Sequence, residues 1–126
     1  MSLAHFTLAT SQVEPTASFL ERTLGYPRDP LPANIPDEAV WLNIGHGQQL
    51  HVLFVAAFTA SPFEAEFGRH VALFYPEREF EALKGRLRQH GAELIDPIRP
   101  TPFARFFFRE PINGYVFEVV ASHLDQ

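Results

Sequence analysis

The stretch "FFFREPINGYVFEVV" (residues 106–120) has the pattern of two β-strands joined by a turn. Aromatic and β-branched residues, which favour strands, flank the turn-forming sequence "PING" at 111–114. Glu118 lies in the middle of the second strand, among apolar neighbours. Glutamate is seldom fully buried unless it is paired or bound to a metal ion. Glu118 therefore faces water from an edge strand, pairs with a nearby arginine, or belongs to a site that other residues complete.

The elements before this stretch follow from local patterns. The segment "RHVALFYP" (69–76) is typical of a strand, and "EREFEALKGRLRQHG" (77–91) has its apolar residues at helical spacing. A short strand is predicted for "AELIDP" (92–97). The second half of the chain is therefore predicted to have the order β-α-β-β-β.

The first half has the same plan. Residues 3–10 alternate between apolar and polar, as a strand with one apolar face does. Residues 11–26 have helical spacing, with Pro15 in the first turn and Gly25 at the end. Two strands, "AVWLNIG" (39–45) and "QQLHVLFVA" (48–56), are predicted to be joined by a turn. Residues 27–38 hold four prolines and are predicted to be mostly loop.

The two halves correspond along their length, which indicates an internal repeat. Placing His5 on His70 requires a shift of 65 residues, and placing His51 on Glu118 requires a shift of 67. We therefore predict a single domain, 1–126, with module one at about 1–57 and module two at about 68–122. The segment 55–68, which carries three phenylalanines, is predicted to connect the modules.

Four polar residues occupy matching places in this repeat: His5, His51, His70 and Glu118. Side chains alternate across a strand, and each of the four lies opposite residues expected to face a helix. If the modules pair with these faces together, the four side chains converge. Three imidazoles and one carboxylate suit Zn, Fe(II), Mn, Ni or Co. The alternative for each histidine is an ordinary strand residue held by a hydrogen bond.

Composition excludes several classes of function. The chain has 126 residues, 46% hydrophobic and 20% charged, which suits one globular domain. Its net charge of −5 argues against nucleic acid as a partner, and the absence of cysteine excludes disulfides and thiolate chemistry. No apolar run approaches the roughly 20 residues that span a bilayer, and the N-terminus lacks signal-peptide features. We therefore expect no membrane partner and a cytoplasmic location.

Four segments resemble the vicinal oxygen chelate superfamily of glyoxalases, bleomycin-resistance proteins and extradiol dioxygenases. They are "HFTLAT" (5–10), "GQQLHVLFV" (47–55), "RHVALFYP" (69–76) and the stretch 106–120. The resemblance implies an α+β, glyoxalase-like fold in which two β-α-β-β-β modules form a curved mixed sheet around a cleft. It also implies a divalent metal ion held by His5, His51, His70 and Glu118, a small-molecule substrate, and a homodimer.

Two features depart from the superfamily's usual pattern. The turn is Glu110-Pro111-Ile112-Asn113-Gly114 rather than Asp-Pro-x-Gly-Asn, which leaves the predicted ligands unchanged. His51 stands where glyoxalases usually carry Glu or Gln, and the residues that mark methylglyoxal-converting enzymes are missing. The resemblance therefore supports the fold more strongly than it supports any particular substrate.

The predicted ligand set implies chelation of the substrate. Four protein ligands leave a six-coordinate metal ion two positions for adjacent substrate oxygens, with the metal acting as Lewis acid. Glu118 or a metal-bound hydroxide would be the catalytic base. We expect redox-neutral chemistry of the lyase, isomerase or addition type on a small oxygenated substrate. Two alternatives stay open: an Fe(II) extradiol-type dioxygenase in which His51 does not bind the metal, and a metal-free protein that sequesters a ligand such as an antibiotic.

Other polar residues have weaker patterns. Arg105 and Arg109 flank three phenylalanines and are predicted either to bind a substrate carboxylate or to face solvent or pair with acidic residues. His46, His90 and His123 are predicted to be exposed, in a turn, at a helix end and in the C-terminal tail.

Overall fold

A computed structural model describes residues 3–35 and 38–122 of the chain. The chain forms two compact units: unit 1, Met1–Thr59, and unit 2, Ala60–Gln126. The predicted modules, 1–57 and 68–122, lie within these units. Among the described residues, each unit has a four-stranded mixed sheet and one α-helix, which confirms the predicted α+β class.

Unit 1 contains strands β1 (His5–Thr10), β2 (Arg28–Asp29), β3 (Ala39–Gly45) and β4 (Gln48–Phe54), with helix α1 (Val13–Leu24) after β1. The strand order is β1-β4-β3-β2. The helix packs against β3 and β4, and its buried face includes Val13, Ala17, Leu20 and Leu24. It ends at Gly25, whose φ of 81° is accessible mainly to glycine and whose N–H donates to Glu21 O at 3.1 Å.

Unit 2 contains strands β5 (Val71–Pro76), β6 (Glu93–Ile95), β7 (Arg105–Arg109) and β8 (Val116–Ser122). A 3₁₀ turn (Glu77–Glu79) leads into helix α2 (Phe80–Gln89), which buries Phe80, Leu83 and Leu87. The strand order is β5-β8-β7-β6, the same arrangement as in unit 1. Unit 2 therefore repeats the plan of unit 1, as the sequence predicts.

The repeat extends to the register of the central strand pairs. In unit 1, β1 runs parallel to β4 and pairs Thr7 with His51. In unit 2, β5 runs parallel to β8 and pairs Ala72 with Glu118. The neighbouring positions on the opposite face are buried: Leu8, Leu50, Val52, Leu73, Phe117 and Val119. His51 and Glu118 therefore occupy equivalent positions, each turned away from the apolar core of its own unit.

The two hairpins turn by different means. The β3–β4 turn places His46 (φ 54°) and Gly47 (φ 75°) in the left-handed region, as a two-residue hairpin loop does. In the β7–β8 turn the buried Glu110 carboxylate accepts backbone N–H bonds from Ile112, Asn113 and Tyr115 at 2.7, 2.9 and 3.2 Å. Glutamate in place of the superfamily's usual aspartate thus still satisfies the donors of the turn.

Some local predictions need correction. The loop 27–38 contains the two-residue strand β2, which pairs Arg28 with Leu42 of β3. His70 lies one residue before β5 rather than inside it. His46 is exposed as predicted, whereas His90 at the end of α2 is half-buried, and His123 lies outside the described residues. Within residues 3–35 and 38–122, no helix is long and apolar enough to cross a membrane.

Candidate metal centre

The unit 1 half of the predicted site is a stack of aromatic rings. The His5 and His51 rings lie with centroids 3.9 Å apart and planes 12° from parallel. The Trp41 ring covers the other side of His51, with centroids 4.0 Å apart and planes within 1°. Trp41 pairs directly with His51 across β3 and β4. The His51 ring is therefore held between two other rings, while His5 stays exposed.

Hydrogen bonds determine which nitrogen of His51 carries a proton. The Gln49 side-chain amide donates to Asp29 Oδ2 at 2.8 Å, so its carbonyl oxygen points the other way. That oxygen lies 2.9 Å from His51 Nε2, and because it can only accept, Nε2 must donate. Burial, and then the neighbouring His5, lower the pKa of His51 and favour its neutral form. Neutral His51 therefore has its free lone pair on Nδ1.

In the unit 2 half of the site, a histidine nitrogen faces a carboxylate oxygen. His70 Nδ1 donates to the backbone carbonyl of Ala65 at 3.0 Å, so in a neutral ring the lone pair is on Nε2. Nε2 faces Glu118 Oε1 at 3.2 Å. A bare imidazole nitrogen and a carboxylate oxygen repel each other at this distance unless a cation lies between them. That cation is either a proton on Nε2 or a metal ion.

The second oxygen of Glu118 is held by an arginine. Arg105 donates from NH1 to Glu118 Oε2 at 3.1 Å and from NH2 to Glu66 Oε2 at 3.0 Å. Its guanidinium is almost fully buried and lies over the Phe107 ring, 5.2 Å from the centroid. Of the interpretations of Glu118 from sequence, pairing with a nearby arginine is therefore confirmed. Arg105 pairs with acids, and so does Arg109, whose Nε lies 3.4 Å from Glu93 Oε1.

The two pairs differ in how well they fit one metal ion. Two ligand atoms 3.2 Å apart, each about 2.1 Å from one metal ion, subtend an angle of about 100° at the metal. This value suits adjacent ligands in octahedral or tetrahedral coordination, so His70 and Glu118 fit a divalent ion. The stacked rings of His5 and His51 are nearly parallel, so one ion cannot lie in both ring planes. One of these rings must rotate before both can bind the same ion.

The described residues bring the predicted ligands together in pairs. His5 meets His51 in unit 1, and His70 meets Glu118 in unit 2. Within residues 3–35 and 38–122, no group of three or more His, Asp or Glu side chains that could hold a metal ion is found. The set of four ligands therefore stays a prediction. Each pair lies within its own unit.

A cavity of about 320 Å³ lies in unit 2, beside the half of the site that contains Glu118. Residues 97–101 and 103–105 line it, so Arg105 borders both the cavity and Glu118. Its volume is at the lower end of the range for small-molecule pockets, about 300–1,000 Å³. The space is therefore sufficient for a small ligand only.

The comparison with family models matches the Glyoxalase/Bleomycin resistance protein/Dioxygenase superfamily over residues 2–119. The chain belongs to this superfamily. The resemblance stated from the four sequence segments is thereby confirmed. No curated protein sequence gave a significant match.

Solved structures show the same superfamily fold. A glyoxalase family protein from Bacillus anthracis aligns with a TM-score of 0.77 and 21% identity, covering 97% of this chain and 95% of that one. A variant of the fosfomycin resistance protein FosX from Listeria monocytogenes, complexed with Mn(II) and 1S,2S-dihydroxypropylphosphonic acid, aligns at 0.75 and 18%, covering 98% and 94%. FosX from Mesorhizobium loti aligns at 0.72 and 16%, covering 98% and 94%. At these identities the likeness concerns the fold.

The sequence pattern does not identify the residues that support the four predicted ligands, among them Asp29, Gln49, Glu66 and Trp41. One signal was available for Arg105. The β7–β8 hairpin pairs Arg105 with Val120, two residues beyond Glu118, which puts both side chains on one face. No comparable signal was available for Glu66, which lies in the connecting segment.

Proposed function

We propose that this protein is a divalent-metal-dependent enzyme of the superfamily, with His5, His51, His70 and Glu118 as metal ligands. Its substrate is a small molecule with two adjacent oxygens, and its chemistry is redox-neutral, of the lyase, isomerase or addition type. Zn, Fe, Mn, Ni and Co all suit this ligand set. The cytoplasmic location expected from the sequence belongs to the same proposal.

One observation carries the proposal. His70 Nε2 and Glu118 Oε1 face each other at 3.2 Å, while the outer atom of each side chain is already bonded within unit 2. Metal-binding histidines usually donate their second ring N–H to a carbonyl or carboxylate in this way, and ligating carboxylates are themselves hydrogen-bonded. This arrangement supports a role for the pair as two adjacent ligands of one metal ion.

The residues divide the chemical work as follows. When bound, a divalent ion would supply Lewis-acid stabilisation of negative charge that develops on the substrate oxygens. Ala65 and Arg105 fix the orientations of His70 and Glu118 toward the ion. Glu118 was predicted both as ligand and as base. Because its Oε2 already accepts a bond from Arg105, the structure favours the ligand role.

A second candidate function follows from the His51 stack. His51 is held between His5 and Trp41 and donates through Nε2 to Gln49. These contacts favour a role in which His51 supports the metal ligands and does not bind the metal ion itself. His5, His70 and Glu118 would then form a set of two histidines and one carboxylate, as in non-haem Fe(II) oxygenases. Oxygen consumption with a catechol, present with Fe(II) and absent with Zn(II), would favour this candidate over the redox-neutral enzyme.

Metal analysis of protein purified without chelators tests the proposal. We expect about one divalent ion per chain, because the four proposed ligands form a single site. Glu118→Ala should lower the metal content, because it removes a ligand. The matched control is His46→Ala, which removes an exposed histidine in a turn and should leave the content unchanged. A wild-type protein that binds no divalent ion, even after metal is supplied, contradicts the proposal and favours metal-free sequestration of a ligand.

We also propose that the protein is a homodimer. Unit 2 exposes three large aromatic side chains, Phe63, Phe67 and Phe74, at 72%, 69% and 75% of their area. Exposed apolar groups of this size are common at protein interfaces. Light scattering at micromolar concentration should give twice the mass of the chain, and a stable monomer would contradict this assembly.

A further inference from the structure

Three consecutive residues of the connecting segment each hold a different part of the unit 2 half-site. The Glu64 carboxylate accepts from the backbone N–H of Val116, at the start of β8, at 2.7 Å. The Ala65 carbonyl accepts from His70 Nδ1 at 3.0 Å. Glu66 accepts from Arg105, which in turn holds Glu118. The segment 64–66 thus contacts His70 directly and Glu118 through Arg105, although it contributes no ligand itself.

The segment is fixed in a tight loop. Arg69 N–H donates to the Phe63 carbonyl at 2.8 Å, which closes the loop around residues 64–68. A Cβ at position 68 would lie 2.0 Å from that carbonyl oxygen, so only glycine fits there. Arg69 also donates to both oxygens of Glu64 at 3.0 Å, and its guanidinium lies over the Tyr115 ring. The positions of residues 64–66 are therefore determined by the fold of unit 2.

Glu66 is itself held in place by hydrogen bonds. The backbone N–H groups of Ile98 and Arg99 donate to its two oxygens at 2.6 and 3.0 Å. These bonds, the Ile98 bond first, together with the contact with Arg105 lower the pKa of Glu66 to about 2, so the carboxylate is ionised at neutral pH. Arg105 NH2 contacts both Glu66 and the Arg99 carbonyl. Glu66 thereby fixes one side of the Arg105 guanidinium and leaves NH1 directed at Glu118.

The planar shape of the guanidinium makes this arrangement directional. An arginine presents its N–H groups in a rigid fork, so fixing NH2 also fixes the direction of NH1. With Oε2 bound to NH1, Glu118 turns Oε1 toward His70 Nε2. Without Glu66 and Arg105, the carboxylate is free to rotate about its last bond and to present either oxygen or both.

We propose that Glu66 and Arg105 are positioning residues that act in series to hold Glu118 as a one-oxygen metal ligand beside His70. This inference rests on the proposed metal-dependent function. It assigns to the connection between the modules a part in building the metal centre, beyond joining the two halves. Partners that orient metal ligands typically change metal affinity by about 10- to 100-fold when they are removed.

The test measures binding of Co(II) and Mn(II) to chelator-treated wild-type protein, Glu66→Gln, Arg105→Met and the double variant. Glu66→Gln keeps the size of the side chain and removes its charge. The matched control is Glu81→Gln, which neutralises an exposed glutamate paired with Lys84 on α2. Competition with a chelating dye gives the affinities. The visible spectrum of bound Co(II) reports the coordination geometry, and the thermal unfolding of each metal-free protein reports its folding.

We expect each single variant to weaken metal binding by about 10- to 100-fold and to alter the Co(II) spectrum. The double variant should be no weaker than the worse single variant, because residues that act in series are not additive. Glu81→Gln should match wild type in affinity and spectrum. Should Arg105→Met fail to fold, Glu66→Gln decides by itself through the same two measurements.

Three results would overturn the inference. Folded variants with wild-type affinity and spectrum would show that Glu66 and Arg105 support only the loop, and would leave the proposed function intact. Fully additive losses in the double variant would show that the two residues act separately. A wild-type protein that binds neither Co(II) nor Mn(II) would refute the proposed function, and the positioning role with it.

Discussion

Units 1 and 2 pair their strands in the same register but hold their candidate ligands in opposite ways. In unit 1, the His51 ring lies between the rings of His5 and Trp41. The planes of His5 and His51 are nearly parallel, so their nitrogen atoms do not point toward a common ion. In unit 2, His70 Nε2 and Glu118 Oε1 face each other across 3.2 Å. The two candidate ligand atoms therefore face each other in unit 2, whereas in unit 1 one ring must rotate before both histidines can bind the same ion.

The difference originates in the strand next to the ligand. His51 pairs with Trp41 across β3 and β4, and Glu118 pairs with Phe107 across β7 and β8. The position two residues before Phe107 is Arg105, and the position two residues before Trp41 is Ala39. Unit 1 thus has no charged partner at the place where unit 2 has its guanidinium. A backbone repeat determines where a ligand is attached, and its neighbours determine whether it is oriented.

The largest expected effect comes from removing both candidate ligands of unit 2. The double variant His70→Ala, Glu118→Ala should lose stoichiometric metal binding, because two adjacent ligands disappear together. The corresponding double variant in unit 1, His5→Ala with His51→Ala, should retain weak binding through the unit 2 pair. Isothermal titration with Mn(II) measures both. Full occupancy in the unit 2 variant would contradict the proposed ligand set.

The two hairpins offer a second contrast, since the β7–β8 turn depends on a buried side chain and the β3–β4 turn does not. Glu110→Ala removes the acceptor of three backbone N–H groups and should lower the free energy of unfolding by about 2–3 kcal/mol. Glu110→Gln retains an acceptor oxygen and should lose less. Urea unfolding of the metal-free protein measures both, and equal stability of Glu110→Ala and wild type would contradict the role of Glu110.

A smaller effect concerns pH and the unit 1 stack. Burial lowers the pKa of His51 below its ordinary value of 6.5, so the unfolded chain takes up a proton there before the folded one does. The contribution of His51 to stability is therefore lost as pH falls below about 6.5, with a slope of at most about one proton. His51→Phe keeps a ring for the stack and cannot titrate.

Denaturant unfolding of chelator-treated protein at several pH values tests this expectation. The free energy of unfolding of His51→Phe should decline less than that of wild type between about pH 7 and about pH 5. Identical pH dependence in the two proteins would show that His51 is not held neutral in the folded state.

The smallest expected effect is at the β3–β4 turn. His46 has a φ of 54°, which costs a non-glycine residue some strain, and glycine would relieve it at the expense of greater freedom in the unfolded chain. Because these terms oppose each other, His46→Gly should change stability by less than about 0.5 kcal/mol. A loss comparable to that of Glu110→Ala would show that the first hairpin also depends on a side chain.

The sequence was sufficient for the elements that depend on local pattern. The helical spacing of Val13, Ala17, Leu20 and Leu24 and the glycine at position 25 predict α1 with its end. The repeat predicts the equivalence of His51 and Glu118, because strand alternation and the short hairpin turns leave little freedom of register.

The surroundings of the site could not be predicted in the same way. Glu66 meets Arg105 across 39 positions of sequence, and two of its bonds come from backbone N–H groups in the β6–β7 loop. Backbone donors carry no sequence signal. The stacking of Trp41 on His51 was also out of reach, since an aromatic residue in a strand predicts burial rather than a particular partner.

The central claim is that unit 2 presents His70 Nε2 and Glu118 Oε1 as adjacent ligands of one divalent ion. A crystal structure of the protein grown with Mn(II) or Zn(II), with the ion located by its anomalous scattering, tests this claim most directly. We predict an ion at about 2.0–2.2 Å from both atoms, with Arg105 still bonded to Glu118 Oε2. An ion bound elsewhere, or a His70–Glu118 pair that excludes the metal at saturating concentration, would contradict the account.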